Sequence, residues 1–224
     1  MIINVHAGHN PDGKVACGAV GYIKESTENR RVKDAVVSKL TALGHQIYDC
    51  TVDDGINESD QLSKICTKCN DHYADLNLSI HFNAGANKIK NGKSTGVEVY
   101  VSRTPGEETK IAKNICDAIA ELGFTNRGVK NKDFYVIRNT SAPAILIECC
   151  FVDDPDDVEL YVCEAMADAI VLGLTGKKAP QTSSADTIYQ YHRVQVGAYS
   201  KLENAIKMRQ KLIDEGYDAI IVTY

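Results

Sequence analysis

The chain has 224 residues, which is enough for one full α/β domain and a small appendage. Hydrophobic residues make up 44% and charged residues 25%, and this balance excludes a wholly disordered, collagenous or coiled-coil protein. The net charge of −5 argues against a nucleic-acid partner, and no apolar run approaches the roughly 20 residues needed for membrane insertion.

The first part of the chain predicts strands that alternate with helices. Apolar residues recur at helical spacing in two segments, and Gly44 ends the first of them. The third predicted strand alternates apolar and polar side chains, a pattern typical of a strand with one functional or solvated face. The predicted strands are 2–6, 46–50 and 76–82, and the predicted helices lie within 29–43 and 55–73.

The second part continues the alternation of strands and helices. It predicts strands at 97–101, 134–137 and 144–151, and helices at 107–122 and 155–174. Strand–helix–strand units favour parallel pairing, from which the strand at 97–101 is allowed to depart. The predicted fold class is therefore α/β, with a mostly parallel twisted sheet flanked by helices.

The composition changes at Gly176, where small polar residues without periodicity predict a linker over 176–188. The remaining segment predicts a small βαβ tail domain over 189–224. Its predicted elements are a strand at 192–198, a helix at 201–215 and a strand at 217–222. The expected organisation is a catalytic domain over 1–175, the linker, and this tail.

The cysteines and the N-terminal sequence indicate the cellular compartment in which the protein is made. Eight cysteines would suggest disulfides in a small secreted protein, but the N-terminus has no basic segment followed by an apolar signal segment. We therefore predict reduced thiols and synthesis in the cytoplasm. Cys66, Cys69 and His72 share a broad helical stripe, which we interpret as core packing because no fourth metal ligand is evident.

Three residues are candidates for a metal site. His9 follows the first strand, Glu25 opens the first helix, and His81 lies on the polar face of the strand at 76–82. In parallel α/β sheets the strand ends and the loops after them gather at one edge, where ligands bind. Two imidazoles and one carboxylate with an open fourth position make a catalytic zinc site.

Glu148 is the candidate general base. It interrupts the apolar run from Ala144 to Val152, and a buried ionisable residue is costly without a role. A carboxylate beside a metal-bound water is the usual base for amide hydrolysis.

These residues lie in motifs that resemble a known family over residues 2–174. The chain is similar to the zinc-dependent N-acetylmuramoyl-L-alanine amidases of bacteria and phages. The matching blocks are Val5-His6-Ala7-Gly8-His9, Lys24-Glu25 followed by Asn29, Ser79-Ile80-His81-Phe82-Asn83-Ala84, and Ile147-Glu148-Cys149-Cys150-Phe151. Their order and spacing agree with the family, whereas any single block would be weak evidence.

The resemblance implies Zn²⁺ bound by His9, Glu25 and His81, with Glu148 as catalytic acid and base. It also implies hydrolysis of the peptidoglycan bond between N-acetylmuramic acid and the L-alanine of the stem peptide. Two alternatives stay open, because His6 can rival His9 and Glu28 lies one helical turn from Glu25. Asn83 is a candidate for substrate binding or for capping its loop.

Other functions also stay open. The chain can be a zinc peptidase acting on a different wall amide, or an inactive wall-binding protein. Without a signal peptide the resemblance is to a phage or prophage endolysin, released from the cytoplasm to act on the cell wall for lysis. A lysine-rich loop, Gly85–Thr95, is expected to be solvated or to meet acidic groups of the stem peptide.

The tail is similar to a sporulation-related (SPOR) repeat, known in other proteins for binding glycan strands. The resemblance rests on the run 193–200 and on Glu215-Gly216-Tyr217-Asp218-Ala219. Such domains usually contain two βαβ halves, and this segment supplies one. An isolated half of about 36 residues is small for an independent domain and leaves strand edges unpaired, so we expect a homodimer through residues 189–224.

Overall fold

The computed structural model describes residues 1–86, 89–102, 106–180, 196–217, 219 and 221. The chain divides into two compact units, residues 1–179 and residues 180–224. Within the described residues, no helix combines the length and the apolar character needed to cross a membrane.

The first unit is built on a six-stranded sheet. The strands are β1 Ile2–Ala7, β2 Gln46–Asp49, β3 Leu76–Asn83, β4 Val97–Val101, β5 Asn126–Asn131 and β6 Ala144–Phe151. Their order across the sheet is β2-β1-β3-β6-β4-β5. All pairings are parallel except that of β4 with β6, which is antiparallel. The predicted fold class is confirmed, including the exception at residues 97–101.

Helices cover both faces of the sheet. They are α1 Glu25–Ala42, α2 Glu58–Asn70, α3 Glu107–Ala120, α4 Tyr135–Asn139, α5 Pro155–Leu160 and α6 Cys163–Thr175. Helices α1, α3 and α6 pack together over one face. Helices α2 and α4 meet over part of the other face, in a cluster with Ile65, Cys66, Cys69, Val136, Ile137 and Leu146. Cys66 and Cys69 are thus core residues, as predicted.

Two predictions of secondary structure are wrong. Residues 134–137 were expected to form a strand, but α4 begins at Tyr135 and buries Val136 and Ile137 against α2. The single helix expected over 155–174 is interrupted, because the backbone at Tyr161 and Val162 is extended between α5 and α6. Strand β5 was not predicted, since its sequence is almost entirely polar.

Acidic residues after β6 fix the long loop that follows β3. Asp153 accepts the backbone N–H of Gly85 at 2.8 Å, and Asp154 accepts that of Thr95 at 2.9 Å. The Asp157 carboxylate accepts the N–H of Gly96 at 3.0 Å. These bonds give backbone N–H groups of the described part of the loop their hydrogen-bond partners in the absence of regular strand or helix pairing.

The second unit contains α7 Leu202–Asp214, which agrees with the helix expected over 201–215. The strands predicted at 192–198 and 217–222 fall partly outside the described residues, and their described residues 196–198, 217, 219 and 221 are not in a strand. The arrangement of linker and tail therefore stays a prediction. All eight cysteines are free thiols, as expected.

Candidate metal centre

His9 lies in the turn that follows β1. The Gly8 N–H donates to the Ile80 carbonyl of β3 at 3.0 Å, and His9 then adopts a left-handed backbone with φ of 62°. Two side chains of α1 donate hydrogen bonds to the backbone of this turn. Asn29 Nδ2 donates to the Gly8 carbonyl at 2.9 Å, and an Arg30 Nη donates to the His9 carbonyl at 2.8 Å.

Glu25 is the first residue of α1 and is almost fully buried. Its Oε1 lies 3.0 Å from His81 Nδ1 and 3.3 Å from His9 Nε2. The other oxygen, Oε2, accepts the backbone N–H of Ala19 at 2.8 Å. One carboxylate therefore joins two histidines that are 72 positions apart in the sequence.

His81 lies near the carboxyl end of β3, and its ring is nearly perpendicular to that of His9 at a centroid distance of 4.9 Å. The close packing depends on two glycines. A Cβ on Gly8 would lie 1.9 Å from His81 Cε1, and one on Gly18 would lie 2.5 Å from Glu25 Oε2. Only a residue without a side chain fits at either position.

Charge and burial act in opposite directions at these three residues. Burial acts to raise the pKa of Glu25, but hydrogen bonds with His81 and His9 hold it well below its usual range. Burial also opposes the charged form of His9, yet the bond to Glu25 raises its pKa. For His81 burial prevails and the pKa is lowered, which favours the neutral imidazole that binds metals.

The three side chains fit a zinc ion. Ligand atoms of His9, Glu25 and His81 all lie within 4.8 Å of one another, and no other such group occurs among the described residues. Tetrahedral zinc with bonds of about 2.0–2.1 Å places its ligand atoms roughly 3.3 Å apart, close to the two measured separations from the Glu25 oxygen. Two imidazoles and one carboxylate are also a known donor set for catalytic zinc.

The two alternative ligands lie outside this group. His6 is buried, its Nδ1 is 3.5 Å from Ser79 Oγ, and burial lowers its pKa to about 3. Glu28 is buried too, and it accepts a hydrogen bond from the Tyr161 hydroxyl at 2.8 Å. The geometry therefore favours His9 and Glu25 as ligands.

Glu148 lies on β6 directly opposite His81 of β3 and opposite Glu98 of β4. Residues paired across strands project from the same face, so these three form one row. Burial raises the pKa of Glu148 to about 8, and the negative charges of Glu25 and Glu98 act in the same direction. Its Oε2 is buried and has no hydrogen-bond partner among the described residues. Such an atom has the properties expected of an acid–base group awaiting a ligand.

Comparisons with known proteins agree with this geometry. Residues 2–175 match the N-acetylmuramoyl-L-alanine amidase family. The chain therefore belongs to this family. Residues 188–224 match the SPOR domain.

Two curated relatives and one solved structure illustrate the similarity to the amidase family. An uncharacterized Clostridium perfringens protein is 36% identical over 163 residues, covering 72% of this chain and 47% of that protein. The N-acetylmuramoyl-L-alanine amidase CwlM of Bacillus licheniformis is 30% identical, covering 66% and 57%. The catalytic domain of the CD27L endolysin targeting Clostridia difficile shares the fold, with a TM-score of 0.70, 24% identity and coverage of 80% and 98%. The chain spans about half the length of the first curated relatives it matches.

Asn83, the candidate substrate-binding residue of this amidase-family chain, is already hydrogen-bonded. Its Nδ2 donates to Glu98 Oε1 at 2.7 Å, and its Oδ1 accepts the N–H of Ala84 at 2.8 Å. These bonds cap the start of the loop after β3. They favour the capping role over direct substrate binding.

Two residues of the site were not singled out from the sequence. Glu98 completes the row that contains His81 and Glu148, and Arg30 fixes the turn that carries His9. Glu98 lies in a strand of alternating apolar and polar residues, and one charged residue in such a pattern does not indicate a functional role. Arg30 is one of several basic residues on α1, and only its contacts distinguish it.

Proposed function

We propose that the chain is an N-acetylmuramoyl-L-alanine amidase that hydrolyses peptidoglycan with the help of a zinc ion. The convergence of His9, Glu25 and His81 beside Glu148 carries this proposal, together with membership of the amidase family. The substrate bond joins the lactyl group of N-acetylmuramic acid to the L-alanine of the stem peptide. The reaction adds water across that amide.

His9, Glu25 and His81 would hold the zinc ion, and Glu148 lies directly opposite His81 in the sheet. Zinc in such a site lowers the pKa of a water molecule toward neutrality and polarises the substrate carbonyl. Glu25 restrains both imidazole rings through its short contacts with them.

Glu148 would transfer the proton. It takes a proton from the attacking water as the new carbon–oxygen bond forms, and returns it to the alanine nitrogen as the carbon–nitrogen bond breaks. Without a metal ion, the pKa of about 8 would leave this carboxyl protonated near neutral pH. A cation held beside it would lower that pKa and supply the ionised form that takes the proton. A carboxyl whose pKa lies near the working pH exchanges its proton readily in both directions.

Zinc content and wall digestion test the proposal together. Purified protein is expected to hold one zinc ion, and digestion of purified peptidoglycan is expected to release new N-terminal alanine. Glu148→Gln should keep the zinc and lose several orders of magnitude in turnover. Release of free terminal amino acids would instead identify a zinc peptidase, and zinc binding without any product would leave a wall-binding protein.

The tail is a separate part of the proposal. Its match to the SPOR domain supports binding to peptidoglycan glycan strands, which would bring the catalytic unit to the cell wall. A homodimer through residues 189–224 stays a prediction. Light scattering of the full chain across micromolar concentrations tests it, and a constant monomer mass would contradict it.

A further inference from the structure

The outermost strand, β5, carries positive charge beside the proposed site. Arg127 and Lys130 lie on this strand, and both contact the carboxylate of Glu98 on the neighbouring strand β4. Glu98 in turn lies directly opposite Glu148 in the sheet. The cationic groups therefore flank the row that holds His81 and Glu148.

Glu98 is fully engaged and leaves an excess of positive charge. Its Oε2 accepts bonds from Arg127 Nε at 2.7 Å and from the Lys130 ammonium. Its Oε1 accepts the Tyr100 hydroxyl and the Asn83 amide, both at 2.7 Å. Two partly exposed cations thus share one buried carboxylate, and the net positive charge can attract a second anion.

Arg127 has N–H groups that are available to bind a second anion. Its guanidinium lies 5.0 Å from the centre of the Phe151 ring, and its side chain is 35% exposed. Only Nε bonds to Glu98, and in the described part of the chain the two terminal nitrogens donate to no other residue. A stacked guanidinium with free terminal N–H groups is suited to bidentate binding of a carboxylate.

We propose that Arg127 and Lys130 bind a carboxylate of the substrate peptide, on its second residue after the scissile bond. This inference rests on the proposed function. Neighbouring strands lie about 4.8 Å apart, so the cationic groups, which reach back from β5 to Glu98, lie roughly 5–10 Å from the strand of Glu148. Two residues of extended peptide cover about 7 Å, which matches that distance.

The location differs from the one expected from the sequence. The loop at Gly85–Thr95 was a candidate to meet acidic groups of the stem peptide, but its Lys90 forms an ion pair with Glu159 of α5 at 2.7 Å. The cations of β5 contact Glu98, which lies opposite Glu148 in the sheet. Lys90 instead pairs with a residue of α5, the helix that follows β6. The structure therefore favours β5 as the site for the acidic group.

Two matched substrates and three proteins test the proposal. The substrates are muramoyl-L-alanyl peptides whose second residue carries either a free carboxylate or the corresponding carboxamide. The proteins are the wild type, Arg127→Ala, and the control Lys113→Ala, which also removes an exposed cation paired with an acid, Asp117 on α3. We expect the wild type and the control to prefer the carboxylate by about 10- to 100-fold in kcat/KM, and Arg127→Ala to lose that preference.

The outcomes separate a binding role from a structural one. If Arg127→Ala slows both substrates equally while keeping the preference, Arg127 only supports the fold and the proposal is wrong. Equal cleavage of the two substrates by the wild type also refutes it, while leaving the amidase activity in place. If neither substrate is cleaved, the proposed function fails, and calorimetry with the same two ligands then decides whether the carboxylate is bound more tightly.

Discussion

Replacing Gly8 with alanine should remove metal binding without any change to a ligand. The added Cβ would lie 1.9 Å from Cε1 and 2.2 Å from Nε2 of His81. Ordinary carbon contacts begin near 3.5 Å, so the ring and the backbone would have to separate by about 1.6 Å. Ligand distances in a zinc site tolerate deviations of only about 0.2 Å. The displacement is therefore several times larger than a bound zinc ion accepts.

We expect Gly8→Ala to weaken zinc binding by at least about 100-fold, measured by competition with a chromophoric chelator. Gly13→Ala is the matched control, because its added Cβ meets no atom within 4 Å and changes only a left-handed turn further along the same loop between β1 and α1. Circular dichroism and thermal unfolding of both variants show whether the fold is retained. A folded Gly8→Ala protein with wild-type zinc affinity would refute the placement of His81 against Gly8.

Two further predictions concern buried carboxylates. Glu25→Gln should lose zinc. Glu28→Gln should keep zinc but lower the free energy of unfolding by about 1–3 kcal/mol, because it weakens the hydrogen bond between Glu28 and Tyr161. Zinc stoichiometry and urea unfolding distinguish the two variants. Burial acts to raise the pKa of Glu98, but hydrogen bonds with Lys130 and Arg127 lower this pKa to about 2. A lowered pKa stabilises the folded state above the unfolded value near 4.5, and this stabilisation is lost as the pH falls toward 2. The stability difference between wild type and Glu98→Gln in urea unfolding should therefore narrow from pH 5 to pH 2.5, and a constant difference would contradict the ionised state of Glu98.

The sequence predicts most of the sheet because its central strands are apolar on both faces or alternate strictly. β3 and β6 are recognisable in this way, and their buried residues form the middle of the core. β5 has the sequence Asn-Arg-Gly-Val-Lys-Asn, in which a single apolar residue gives no periodic signal. It is a strand because β4 offers backbone partners along its free edge, and that tertiary reason is absent from local sequence.

The helix α4 shows the opposite error. Phe-Tyr-Val-Ile is rich in β-branched and aromatic residues, and a short apolar run of this kind does not distinguish a strand from a buried helical turn. The helical turn places Val136 and Ile137 together against the cluster that includes Ile65. Packing across the sheet face decided the conformation, not the propensity of the four residues.

Helix α1 shows why the spacing of residues in the sequence identifies the candidate site but does not predict its geometry. Glu25 and Asn29 are four residues apart and so lie on one face of the helix. The first supplies a ligand carboxylate, and the second donates to the Gly8 carbonyl next to the other ligand, His9. The left-handed backbone of His9 is unfavourable for a residue with a side chain, and hydrogen bonds from α1 to the carbonyls of Gly8 and His9 offset that cost. One rigid helix thus fixes a ligand and the strained turn that bears a second, so the metal geometry depends on the docking of α1 against the sheet.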